Sequence, residues 1–157
     1  MTHKTLIKRV LNVTIGLVVF ALVMTFSLEI SNALCIQPDE EGEWVNIDPN
    51  TRGLTRINLR FVCQDQIRNG EPYPPGPPWY VHIWGKCHPT DCDWGEVGAT
   101  QLTSGYIYAF YDHGFAKRYV YAKMSAVRPG LLYVYMWTNF TDPGRADYSM
   151  HCYFRRR

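Results

Sequence analysis

From residue 43 to the C-terminus the side chains alternate in character with a period of two, in short runs punctuated by turn formers. That period belongs to the β-strand, whose successive side chains point to opposite faces. No stretch beyond residue 40 keeps apolar residues at helical spacing. The runs are rich in Val, Ile, Tyr, Phe and Trp and fall at 43–48, 54–63, 79–86, 93–100, 105–112, 115–125, 130–139 and 147–155. Asp48-Pro49-Asn50, Asp112-His113-Gly114, Arg128-Pro129-Gly130 and Asp142-Pro143-Gly144 break them, and all are strong turn sequences. Short antiparallel strands without helices predict an all-β domain, either a small antiparallel eight-stranded barrel or a sandwich. The only long connection is Asn69–Pro78, NGEPYPPGPP, which the prolines predict as an extended surface crossover.

The two faces of these strands differ in chemistry. One carries Ile57, Leu59, Phe61, Val81, Ile83, Ile107, Ala109, Val120, Ala122, Met124, Leu132, Val134 and Met136. This aliphatic set has the chemistry of a packed interior. The other carries Arg56, Asn58 and Arg60, then Tyr80, His82 and Trp84, then Tyr106, Tyr108 and Phe110. It continues with Tyr119 and Tyr121 between Lys117 and Lys123, and ends with Tyr133, Tyr135 and Trp137. With the aliphatic face inward, an aromatic band looks outward, and an exposed aromatic surface of that extent suits a partner. Tyr and Trp stack on sugar faces, fill protein interfaces and anchor at membrane headgroups. The plain alternative is that tyrosines favour strands while their hydroxyls stay wet. An inverted assignment would instead line a luminal pocket with the tyrosines, as in carriers of small apolar ligands.

The remaining segment sets the address. Met1–Arg9 is basic, Val10–Leu28 is almost wholly apolar, and Ser31-Asn32-Ala33 places small residues where a signal peptidase cuts. The order predicts a hydrophobic N-terminal helix over 1–33, acting as a signal peptide or, uncleaved, as a membrane anchor through residues 10–28. Residues 34–42 read as a linker and 43–157 as an exported domain, secreted or extracytoplasmic. Lys4, Lys8 and Arg9 against Glu29 account for the formal net charge of +2, so the body is neutral and has no electrostatic footprint for nucleic acid.

The five cysteines, Cys35, Cys63, Cys87, Cys92 and Cys152, all lie in the exported part, where disulfides are expected. Cys87 and Cys92 predict a small stapled loop. Zinc on Cys87, His88 and Cys92 is the alternative, but no second ligand pair follows at a usual interval, and no metal or cofactor is assigned. Cys63 and Cys152 share the inward phase of their strands and predict a bridge between the first and last strands of a barrel. Cys35 is then left over; Leu34 before it is a poor match to a lipidation site.

Acid–base candidates are His82, His88, His113 and His151 with Asp91, Asp93, Asp112 and Asp147. The chain has no G-x-S-x-G, phosphate loop or H-E-x-x-H, so an enzyme is the third expectation and no catalytic residue is assigned.

Gly42-Glu43-Trp44-Val45-Asn46 has the pattern G-x-W-x-N and resembles the opening strand of calycin barrels, the lipocalin and avidin-like superfamily. The resemblance implies an eight-stranded up-and-down barrel plugged at one end by Trp44. It implies a basic residue of the last strand, Arg155, packed over that ring, and Asn46 at a ligand pocket. Asp48-Pro49-Asn50-Thr51 replaces the usual Gly-Ser turn, so biotin binding is not implied. The stretch Trp84–Gly95, with two Trp-Gly pairs framing the cysteine loop, resembles a signature of an exported bacterial family. Its tip offers His88, Asp91 and Asp93 for recognition. Together these features predict a noncatalytic domain that recognises a cell-surface polymer or protein through the aromatic face (Tyr80, Trp84, Tyr106, Tyr108, Tyr119, Tyr121, Tyr133, Tyr135, Trp137) and the 87–92 loop. A carrier of a small apolar ligand inside the barrel is second.

Overall fold

The structure is a computed structural model that describes residues 35–157; the expected signal or anchor helix over 1–33 lies outside the described residues. The strands are β1 (Gly42–Asn46), β2 (Leu54–Phe61), β3 (Gln66–Arg68), β4 (Glu71–Tyr73), β5 (Trp79–Gly85), β6 (Cys92–Gln101), β7 (Ile107–Asp112), β8 (Ala116–Met124), β9 (Leu131–Phe140) and β10 (Tyr148–Arg156). Eight of them close into an antiparallel barrel in the order β1-β10-β9-β8-β7-β6-β5-β2. Apart from a small excursion between β2 and β5, every strand pairs with its sequence neighbour, and β1 closes the ring on β10. Closure leaves no open sheet edge in the barrel.

The alternation decides which face is inside. Ile57, Leu59, Val81, Ile83, Val120, Val134 and Met136 are all at most 1% exposed. The phenolic rings of Tyr119, Tyr121, Tyr133 and Tyr135 occupy the intervening, outward positions. The lumen is therefore a packed aliphatic core, and a residue slip in any ladder would exchange the two sets wholesale. β5, β7, β8 and β9 keep the buried–unburied rhythm expected of them.

Loops 47–53, 86–91, 113–115 and 141–147 gather at one end of the barrel, here called the upper end; 62–78, 102–106 and 125–130 gather at the lower end. Trp44 closes the lower end. It is 1% exposed, and its indole N–H donates to the Glu40 carbonyl at 2.8 Å. The basic residue over the ring is Arg156, with its guanidinium carbon 4.6 Å from the ring centroid, rather than the expected Arg155. The correction follows from phase: Arg156 pairs directly with Trp44 across the β1–β10 ladder, whereas Arg155 pairs with Val45 on the opposite face.

Two further expectations change. Cys63 bonds Cys35, with Cα atoms 5.8 Å apart, and Cys152 is free. The predicted Cys63–Cys152 bridge is excluded by strand order: the first strand, β1, stands between β2 and β10, and Cys63 lies beyond the end of β2 while Cys152 sits well inside β10. Cys152 stays half-buried against the core, and burial pushes its thiol up to about 12. In the proline-rich connection, residues 66–73 form the β3–β4 hairpin, which turns at Asn69-Gly70, both with positive φ (54° and 86°). Asn-Gly suits that left-handed pair of conformations better than any other dipeptide. The Cys87–Cys92 bridge forms as expected, with a Cα separation of 5.4 Å, so both sulfurs are bonded to each other.

Candidate functional site

The outer surface has two aromatic regions. On β2 and β5, Tyr80 and Trp84 sit opposite arginines in register, Arg60 against Tyr80 and Arg56 against Trp84. The Arg60 guanidinium lies 4.1 Å over the Tyr80 ring and Arg56 3.7 Å over Trp84. His82 stacks on Trp84 at 3.9 Å between centroids, and Arg60 is further held by Glu96 at 2.6 Å. These rings are covered by their own neighbours.

Around β8 and β9 the rings are barer, and of those gathered there Tyr106 alone has a cation of the described residues over its face, the Lys123 ammonium at 4.2 Å. Tyr119 faces Trp137 and Tyr121 faces Tyr135 across the β8–β9 ladder, with Tyr133 opposite Lys123. Tyr106 approaches Tyr121 edge-on at 6.3 Å, and Tyr108 lies 5.2 Å from the same ring. The rings form a shallow groove of about 540 Å³ whose walls are Tyr106, Tyr119, Tyr121, Tyr133, Tyr135 and Trp137, with Leu102 and Ser104 from the β6–β7 loop at one edge. Trp137 is 41% exposed. Partial burial pushes the phenols of Tyr108 and Tyr133 above their ordinary value, so both stay neutral hydrogen-bonding groups near neutral pH. The groove thus gathers six of the expected binding residues, with Tyr108 at its flank. It does not include Tyr80, Trp84, His88 or Asp91.

The stapled loop borders a different feature. At the upper end the barrel opens into a cavity of about 460 Å³ lined by Cys87, Cys92, Trp94, His113, Phe115, Arg118, Met136 and Tyr148 among others. Trp94 reaches over the mouth because Gly85 lies under it: a Cβ there would come within 2.8 Å of the indole. Beneath Trp94, the Tyr111 hydroxyl donates to the Val81 carbonyl at 2.6 Å, and burial drives that phenol far above its ordinary value. Arg118 is 8% exposed, stacks 4.5 Å from Trp94, and donates to Nδ1 of His113. Sequence reasoning passed over Arg118, although its phase with Ala116 and Val120 placed it on the inward face.

Among the acid–base candidates, His82 Nε2 and Asp93 meet at 2.5 Å. A backbone N–H from Gly95 and then His82 hold the Asp93 carboxyl below the usual carboxylate range. The pair lies on the outside of β5 and β6, beside Trp84. Asn46, which the calycin resemblance implies at a ligand pocket, donates to the Leu54 carbonyl at 2.7 Å and does not line the upper cavity. In comparisons with known proteins, no family model, no curated protein and no solved structure matches this chain.

Proposed function

We propose that this is a noncatalytic exported domain that recognises a cell-surface polymer or protein through the open aromatic groove formed by β8, β9 and the β6–β7 loop. The observation that carries this reading is the contrast between the two outer aromatic regions: arginines cover Tyr80 and Trp84, while six rings converge on an open groove of about 540 Å³ in which, among the described residues, a cation overlies Tyr106 alone, the Lys123 ammonium at 4.2 Å. Rings that the fold leaves bare and adjacent offer stacking area already ordered, so little side-chain freedom is lost on binding. Below the cavity at its upper mouth the lumen is filled by aliphatic side chains, which favours an outward-facing site over a carrier holding its ligand inside the barrel. The tryptophan plug under a last-strand arginine supports placing the barrel with calycin-like folds, and the two disulfides are compatible with an extracytoplasmic location.

The test is a binding assay of the full-length oxidised protein on immobilised insoluble glycans and on intact cell-wall preparations. Retention on one of them should fall by about tenfold or more, roughly 1.4 kcal/mol, in a Tyr121→Ala/Trp137→Ala variant with an unchanged melting temperature. Tyr80→Ala should bind as the parent does. Equal retention of all three proteins, or none at all, removes the groove from consideration.

A further inference from the structure

The cavity at the upper mouth shares no lining residue with the outer groove. We propose that it binds a small organic carboxylate, a monoanion with a compact apolar body, on Arg118. A guanidinium stays ionised in a protein, and burying it without a negative partner is costly. Arg118 is buried on the inward face of β8, and no carboxylate forms an ion pair with it among the described residues. Its neighbours are the Trp94 and Phe115 rings, at 4.5 and 5.3 Å, the His113 imidazole and the Tyr148 phenol. None of these supplies a charge.

The hydrogen-bonding groups around it are unbalanced in one direction. Arg118 has only donors, so His113 Nδ1 must accept from it, which leaves the imidazole proton on Nε2. That Nε2, the Arg118 Nε and the hydroxyl of Thr138, which pairs with Arg118 across the β8–β9 ladder, are all buried without a partner. Most buried polar groups in folded proteins are paired, and three orphans at one place call for an explanation. Thr138 is fully buried and does not line the cavity, and its hydroxyl can also accept, so the demand at the mouth comes from the two nitrogen donors and the cation of His113 and Arg118, which both line it. They need acceptor oxygens and one negative charge, which a carboxylate brings in the planar, bidentate form that suits a guanidinium.

The remaining walls fix the rest of the ligand. Leu54, Met136, Trp94 and Phe115 are apolar, and about 460 Å³ accommodates a body the size of a phenyl ring or a short alkyl chain. Arg52 stands on the rim and favours approach of an anion, while Lys86 beside it is already paired with Asp91 at 3.5 Å. The rim's own carboxylate, Asp93, is already engaged by His82 and the Gly95 N–H. A strongly hydrated inorganic dianion would surrender its water to these apolar walls and find a single buried cation.

Titration of the full-length oxidised protein with benzoate, hexanoate, benzamide and inorganic phosphate tests this, read by melting temperature and by the Trp94 indole N–H resonance. Benzoate or hexanoate should raise the melting temperature and shift the Trp94 signal while Trp137 stays still, and benzamide and phosphate should do neither. Arg118→Gln should weaken carboxylate binding by about tenfold or more, and Tyr121→Ala, in the outer groove, should leave it intact. A wild-type protein whose Trp94 signal ignores both carboxylates, or responds equally to benzamide or phosphate, overturns the proposal whether or not the Arg118 variant folds.

Discussion

Each end of the barrel stacks an arginine on a tryptophan, and the two pairs are completed in opposite ways. At the lower end Trp44 is sealed in, and Arg156 lies over it with its charge in water; its two terminal nitrogens donate to the Glu41 and Asp39 carbonyls at 2.6 and 2.5 Å. That guanidinium ties the segment before β1 across the barrel floor. At the upper end the relation is reversed: Trp94 is half-buried and Arg118 beneath it is buried, among rings and the neutral imidazole of His113. A solvated arginine supplied with acceptors acts as a lid. A buried one with a neutral acceptor, His113 Nδ1, and no carboxylate among the described residues leaves a charge that an anionic ligand can meet.

The largest separation between the ends should come from the tryptophans themselves. Trp44→Ala removes a fully enclosed ring and should cost about 3–5 kcal/mol in urea denaturation, while Trp94→Ala, which empties space already open to solvent, should cost roughly 1 kcal/mol. Comparable losses at both positions would mean that the upper end is as much a part of the core as the lower.

The disulfides should follow the same order with smaller gaps. Cys35–Cys63 ties the segment before β1 to the end of β2 at a sequence separation of 28, and Cys87–Cys92 closes a loop with a separation of 5. Loop-closure entropy assigns about 3–4 kcal/mol to the first and about 2 kcal/mol to the second. Replacing both cysteines of each pair by serine and comparing the unfolding free energies checks the ranking; a reversed order would show that the short loop does more than close a ring.

The arginines should differ in sign. Arg156→Met deletes two hydrogen bonds to backbone carbonyls and should destabilise by about 1 kcal/mol. Arg118→Met replaces an uncompensated buried charge with an apolar chain of similar length and should stabilise by about 1 kcal/mol or more, while abolishing any response to carboxylates. If Arg118→Met instead weakens the fold as Arg156→Met does, Arg118 is a second lid and the contrast between the ends fails.

How much of this was legible beforehand depended on what a period of two can encode. It encodes in or out, and so Val120, Val134 and Met136 were placed inside and Tyr121, Tyr135 and Trp137 outside from the sequence alone, with strand ends mostly within two residues of those observed. It does not encode height along the barrel or which strands are neighbours, and that is where the Cys63–Cys152 pairing went astray: both thiols had the right phase, but β1 lies between their strands. The β3–β4 hairpin escaped because all six of its strand residues are exposed, leaving no burial rhythm to read; Asn69-Gly70 was its one available signal. Arg118 was visible in principle, as a charge at an inward position. Its lack of an acidic partner was not, because that depends on which loops close over the mouth.

The smallest effect is a pH dependence confined to the upper end. Burial first, and then the charge of Arg118, depress the His113 imidazole below its ordinary value, with Asp112 opposing weakly. In the unfolded chain the imidazole takes up its proton near pH 6.5, whereas the folded protein resists it to lower pH. Over that interval the unfolded state binds more protons, so stability is greatest above the ordinary imidazole value and declines as the pH falls toward the folded one. Asp93, whose carboxyl is also depressed, loses its contribution only in the acid range below about 4, outside this window. Melting temperature should therefore drop gently from pH 7.5 to pH 5. His113→Gln should flatten that slope, and Arg118→Met should reduce it by removing the charge that opposes protonation. Arg156→Met, at the other end, should shift the whole curve without changing its shape; a slope that responds to Arg156 and not to Arg118 would place the titrating group away from the mouth.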